Sequence, residues 1–106
     1  MSHGEICWYR FARPDKRRPV LILTRDSAIP YLSDITIAPI TSTIRGIPSE
    51  VLLTQMDGMP RECAINLDHM QTVPKSKIGS AITAVSSDRL KEVRQALLFA
   101  LNLERV

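Results

Sequence analysis

The chain has 106 residues, enough for one domain and too few for a separate cofactor-binding unit or a barrel of about 250 residues. Hydrophobic residues make up 44% and charged residues 24%, which excludes a disordered chain. The net charge of +3 is unevenly spread: residues 10–18 carry +4, through Arg10, Arg13, Lys16, Arg17 and Arg18 against Asp15, so the other 97 residues sum to −1. A short basic segment on a nearly neutral domain points to an anionic partner.

Met1 to Glu5 is polar, without a basic-then-apolar leader pattern. Glu5 to Phe11 is rich in aromatic residues and reads as a first strand. Arg13-Pro14-Asp15-Lys16 is a turn signal. Pro19 to Leu23 is an almost continuous apolar run, the pattern of a central strand buried on both faces. Asp26 to Ser33 reads as a loop. Asp34 to Ala38 alternates as a third strand, expected to stop near Pro39. Ile44 to Ser49, with Gly46 and Pro48, is another loop. Glu50 to Thr54 is a short fourth strand, and Met56 to Pro60 a turn. Cys63 to Leu67 and Met70 to Val73 are two more strands across a bend at Asp68.

The period then changes. Ser86 suits a helix N-cap and Asp88 the first turn, and Leu90, Val93, Leu97 and Leu101 follow helical spacing. Ala96 to Leu101 has no polar residue, so the helix either packs deeply or presents a second apolar face to a partner. This stretch is far short of the roughly 20 residues that cross a bilayer. A soluble, cytoplasmic protein with no membrane association is expected. Six or so short strands and one C-terminal helix predict a mostly β fold with α: a small antiparallel, partly closed barrel with the helix packed on it.

Cys7 and Cys63 have no metal-ligand spacing and sit in strand-like runs, which predicts two small buried hydrophobes. His3 lies at the chain end and His69 stands alone, which argues against a zinc site, and the isolated glycines make no phosphate-cradling loop.

Three segments can carry chemistry. Pro19 holds Arg18 in extended geometry at the mouth of the second strand, where a guanidinium can donate two parallel hydrogen bonds to a phosphate. Lys16 and Arg17 are either further phosphate contacts or a solvated charge run. Thr41-Ser42-Thr43, just past the third strand, can orient phosphate oxygens or stabilise a turn. Asn66 to Lys77 gathers Asn66, Asp68, His69, Gln71, Lys75 and Lys77: amides that read base edges and lysines that meet phosphates, or else a polar hairpin. Trp8 and Phe11 can each stack a base or pack in the core.

Taken together and in order, these segments resemble a known family. Gly4-Glu5-Ile6, Arg17-Arg18-Pro19-Val20-Leu21-Ile22-Leu23, Ile37-Ala38-Pro39-Ile40-Thr41-Ser42 and Asn66-Leu67-Asp68-His69-Met70-Gln71-Thr72-Val73 look like the MazF/PemK toxins of bacterial type II toxin–antitoxin modules. The resemblance covers nearly the whole chain, as one toxin domain over residues 1–106.

It implies an SH3-like barrel acting as a homodimer. The implied activity is that of a sequence-specific, metal-independent endoribonuclease (an mRNA interferase) that cuts single-stranded messenger and sometimes ribosomal RNA. No cofactor is implied. A cognate antitoxin would neutralise it, and operator DNA would be bound only through the antitoxin complex. By position, Arg18 and Thr41 are the catalytic pair, with Ser42 and His69 in support. Arg10, Arg13, Lys16, Arg17, Asn66, Asp68, Gln71 and Lys75 would hold RNA.

Many relatives carry glutamine where this chain has His69. A competing reading is a CcdB-like toxin that binds gyrase and cleaves nothing, or a non-catalytic SH3-like nucleic-acid-binding module. A protein-binding poison needs neither the basic segment nor the Arg18/Thr41 pair, and residues 102–106 lack a tryptophan-bearing tail.

Overall fold

The computed structural model describes residues 1–12 and 17–104, so the predicted turn at residues 13–16, with Arg13 and Lys16, lies outside the described residues. Seven strands and one α-helix follow in order: β1 (Glu5–Arg10), β2 (Arg17–Ile22), β3 (Asp34–Thr41), β4 (Glu50–Leu53), β5 (Cys63–Asn66), β6 (Gln71–Pro74), β7 (Ile78–Ala84) and α1 (Ser87–Ala100). The strands run β4-β5-β3-β2-β1-β7, and β6 also pairs β3. Every ladder is antiparallel. Among the described residues no ladder joins β7 to β4, so the barrel is open between them.

The central strands are buried on both faces, as the apolar run of β2 predicts. Cys7, Tyr9, Val20, Ile22, Ile35, Ile37 and Val73 form one layer. Ile6, Leu21, Ala38, Ile40, Val51, Leu53 and Ile65 form the other, covered by Val93 and Ala96 of α1. Successive residues such as Val20 and Leu21 thus enter different layers, as the two-residue period of a strand requires.

β3 does not stop at Pro39; it runs on to Thr41. Register explains how a strand tolerates this proline. Leu23 N–H donates to Thr36 carbonyl at 2.9 Å, and the same ladder sets Val20 opposite Pro39. Alternation then turns the Pro39 nitrogen away from β2. On that side β6 ends at Ile37 and β5 begins at Ile40, so no ladder bond is lost. The extension carries Thr41 to the strand end.

The sequence pattern did not reveal β7. Its residues are mostly exposed, and Gly79, Ser80 and Ala81 carry too little apolar bulk to alternate. It pairs β1 with two register shifts. Gly79 answers a packing demand, since a Cβ there would lie 3.2 Å from the Trp8 carbonyl oxygen.

Helix α1 begins as predicted: the Ser86 hydroxyl accepts from Arg89 N–H, and Asp88 lies in the first turn. Its apolar second half is only partly covered, with Phe99 and Leu101 exposed. No helix among the described residues is long and apolar enough to cross a membrane.

Arg89 also ties α1 to the turn before β5. Its Nε and Nη2 reach the two carboxylate oxygens of Asp57 at 3.0 and 3.1 Å. Asp57 accepts from Thr54 N–H at 2.8 Å as well, closing a capping box. The Arg89 hydrogen bonds hold the Asp57 carboxyl below its ordinary range, against a smaller opposing effect of burial. A carboxyl depressed in the folded state stabilises fully above its unfolded pKa and loses that contribution as the pH falls through the folded value. Below about pH 4 the native chain should therefore lose stability more steeply than D57N. Urea midpoints measured across that range check this; parallel curves would mean the pair carries no linked proton.

Candidate active site

The ladder between β2 and β3 brings the two strand-end motifs together. Val20 faces Pro39 at the end of that ladder, and Arg18 and Thr41, each two residues further on, line the same two depressions. Arg18 is paired with Tyr9 of β1, which holds its backbone on that side. Arg18 is exposed, Pro19 half-buried and Val20 fully buried, so an anchored backbone presents an exposed guanidinium.

Two depressions meet at this pair. The larger, of about 440 Å³, is lined by Trp8, Arg17, Arg18, Thr41, Ser42 and Arg61, with Met59 and Ile82 among its apolar walls. The smaller, of about 210 Å³, is lined by Arg18, Thr41, Thr43, Arg45, Asn66 and His69, with Pro39 and Ile40. Arg18, Ile40 and Thr41 are common to both.

Thr41 takes the turn-stabilising role and stays able to take the other. Its hydroxyl oxygen accepts from Thr43 N–H at 3.1 Å, the turn-stabilising bond. That bond uses a lone pair and leaves the O–H proton free for an outside acceptor. Ser42 is exposed on the larger depression.

The electrostatics are one-sided. Arg10 and Arg17 are directly paired across β1 and β2. The Arg17 guanidinium lies 4.8 Å from the Trp8 ring centroid, a cation–π contact that steers it onto the larger depression. Among the described residues, Arg10, Arg17, Arg18, Arg45 and Arg61 make no ion pair; the ion pairs found join the N-terminus to Glu5, and Arg89 to Asp57 and Glu92. Like charges held together without carboxylate partners favour a polyanion. The two aromatic candidates divide: Trp8 faces the site, while Phe11 packs edge-on to Tyr9 at 4.8 Å, against the core.

The 66–77 segment divides too. Asn66 and His69 reach the smaller depression. The Asn66 side chain accepts from Asp68 N–H at 3.0 Å and caps the tight turn Leu67–His69 at the expected bend. Asp68 accepts from the Ser49 hydroxyl at 2.6 Å, tying that turn to the preceding loop. Gln71 is exposed on β6 opposite Ile37 and lines neither depression. Lys75 is not brought to the pair. It lies beyond Pro74, which faces Asp34 at the far end of β3, about 23 Å from Thr41 at strand rise. Its ammonium donates to the Ile29 carbonyl at 2.7 Å.

Sequence reasoning missed Arg45 and Arg61, each a lone arginine in a loop with no local pattern around it. Arg45 is presented by its backbone: Arg45 N–H and Gly46 N–H both donate to one Glu50 carboxylate oxygen at 3.0 Å. Arg61 follows the Thr54–Gly58 turn that Arg89 fastens to α1. Cys7 and Cys63 are buried and free, as expected. Burial, with help from Glu5, pushes the Cys7 thiol up to about 11, and burial also raises that of Cys63. Neither is a thiolate near neutral pH.

Residues 2–101 match the family of PemK-like, MazF-like toxins of type II toxin–antitoxin systems. A Mycobacterium tuberculosis protein named "Probable endoribonuclease MazF5" is 37% identical over 105 residues, covering 98% of this chain and 95% of its own. The solved structure of the Mycobacterium tuberculosis toxin MazF-mt6 superposes with a TM-score of 0.87 at 32% identity, covering 95% of this chain and 99% of that one. A MazE–MazF structure from Deinococcus radiodurans superposes with a TM-score of 0.82 at 25% identity, covering 96% of each chain.

Proposed function

Because the chain belongs to the PemK-like, MazF-like toxins of type II toxin–antitoxin systems, we propose that it is an endoribonuclease toxin that cuts single-stranded RNA at the Arg18/Thr41 pair. One observation carries the assignment of the site. Just past the ladder that ends at Val20 and Pro39, an exposed guanidinium and a threonine hydroxyl share the common wall of two depressions.

RNA cleavage of this kind uses the substrate's own 2′-OH. The 2′-oxygen bonds to phosphorus, the bond from phosphorus to the 5′-oxygen breaks, and the products are a 2′,3′-cyclic phosphate and a 5′-OH. The 2′-OH loses a proton and the leaving oxygen gains one. The protein supplies no nucleophile; it holds the phosphate in line and stabilises the charge that builds on its oxygens. Arg18 provides a full charge and two parallel donors, and Thr41 a hydroxyl donor beside them. Arginine stays protonated in proteins, so Arg18 stabilises charge and is neither the base nor a net proton source; solvent water takes the 2′-OH proton and returns one to the 5′-oxygen. Ser42 supports Thr41. Arg10 and Arg17 hold the RNA backbone, together with Arg13 and Lys16.

His69 stands in the smaller depression beside both groups. We assign it to contact with a flanking base. H69Q should keep the wild-type pH–rate profile between pH 5 and 8; loss of an inflection in that range would make His69 a proton carrier instead.

The protein works in the cytoplasm as a homodimer, and a cognate antitoxin neutralises it, in line with the MazE–MazF complexes of the family. Mixed-sequence RNA incubated with the purified protein in EDTA tests the central reading. Fragments with cyclic-phosphate and 5′-OH ends are expected; RNA left intact across many sequences would leave a binding toxin or a non-catalytic module in its place.

A further inference from the structure

The larger of the two depressions described above adjoins another along Arg61. A third, shallow one of about 350 Å³ is lined by Thr54, Gln55, Met56, Arg61 and Glu62, and it shares Arg61 with the larger depression. The three therefore adjoin: Arg45 and His69 line the first with Arg18 and Thr41, Arg18 and Thr41 line the second with Trp8 and Arg61, and Arg61 borders the third.

We infer that this series is a single-strand track in which Arg61 and Arg45 read the bases on opposite sides of the scissile phosphate, Arg61 selecting guanine. The inference rests on the endoribonuclease reading and extends it from chemistry to specificity.

The argument is geometric first. A phosphate seated on the wall common to two depressions has one neighbouring nucleotide over each. The larger depression, at about 440 Å³, falls within the range of small-ligand pockets. Its walls suit a base: Met59 and Ile82 offer apolar surface, and the Arg17 guanidinium lying over the Trp8 ring offers a flat face for stacking.

The polar groups then decide which base. Arg17 is already committed to the Trp8 face. Arg61, at the far end, forms no ion pair or side-chain hydrogen bond among the described residues, so its planar fork is available. Such a fork matches two adjacent acceptors on one edge, which guanine offers through O6 and N7. Adenine sets a donor beside N7 and meets the fork with one acceptor and one clash of donors.

At the other end, Arg45 lines the smaller depression, and Glu50 holds its backbone N–H. Asn66 commits its amide oxygen to Asp68 N–H, so its NH2 remains for a ligand. This end too offers donors. It selects a base edge rich in acceptors, at a position distinct from the one Arg61 reads.

The test is a cleavage profile. The intact protein and its R61A, R61K and R45A variants each cut a random-sequence RNA pool, and sequencing of the new 5′-OH ends gives base frequencies at every position around the cut. Wild type should favour guanine at one position on one side. R61A should relax that single preference by about tenfold, and R45A a preference on the other side only. R61K keeps the charge and lacks the fork, so it should relax the same position as R61A while retaining the wild-type salt dependence.

Profiles identical to wild type in all three variants would overturn the inference, as would a fall in rate spread evenly over all sequences, which marks a phosphate clamp. Loss of all cutting by folded R61A and R61K would move Arg61 into the chemistry and overturn it as well. Failure of the wild-type protein to cut any RNA would instead count against the endoribonuclease reading, and the two failures are thereby distinguishable.

Discussion

T41A should lower the single-turnover cleavage rate by about 10²–10³-fold, the usual effect of deleting one preorganised donor to a developing oxyanion. R18A should cost more, about 10³–10⁵-fold, because a full charge and a two-pronged donor leave together, as with arginines that serve phosphoryl transfer. R18K should recover only part of that loss: an ammonium restores the charge, but its donors do not form a fork. The double variant should fall little below R18A, since both groups act on the same phosphate and their effects do not add. Rates of cyclic-phosphate formation at saturating enzyme measure all four.

Folding should be nearly untouched in these variants. Arg18 is exposed and Thr41 half-buried at a strand end, outside both core layers. Surface changes of this kind shift stability by about 0.5 kcal/mol or less. A T41A protein that cuts at the wild-type rate would remove the hydroxyl from the mechanism and leave Arg18 acting with Ser42.

Among the Gly→Ala changes at the four glycines, G58A should be the most destabilising, at about 3 kcal/mol. Gly58 ends the Gln55–Asp57 turn with φ 92° and ψ 9°, a left-handed conformation that costs an L-residue roughly 1–2 kcal/mol. An added Cβ would also lie 2.6 Å from Thr83 Oγ1 and 3.0 Å from Thr83 Cβ. Overpacking of this kind adds about 1–3 kcal/mol.

The two causes can be separated. G58A/T83A removes the hydroxyl and most of the clash but leaves the backbone strain, so the double variant should recover roughly half of the loss. T83A alone gives up one weak bond, its hydroxyl to the Asp57 carbonyl at 3.4 Å, and serves as the control. Urea denaturation midpoints decide the matter. No recovery in the double variant would assign the whole cost to φ. The turn leads straight into Met59, Pro60 and Arg61, which line the larger depression. G58A should therefore weaken cleavage as well as folding, although it lies outside the site.

The amino-acid sequence by itself determined the strand-rich class, the doubly buried β2, the bend at Leu67–His69 and the capped helix. Each rests on a local rule: two-residue alternation in strands, Pro and Gly at turns, a hydroxyl before a helix. It also determined the two short motifs that matter most, because Pro19 restricts Arg18 and the hydroxyl run of residues 41–43 follows a clear strand.

Tertiary structure decided the rest. Pro39 reads as a stop and is not one, since its missing N–H faces the place where β3 changes partners. β7 has no pattern of its own and exists because β1 needs a neighbour and Gly79 admits Trp8. Lys75 looks like a phosphate contact and lies at the opposite end of β3, while Arg45 and Arg61 look like ordinary loop arginines and border the site. Which charges share a surface depends on the register of long-range ladders, a property of pairs of strands that no single segment encodes.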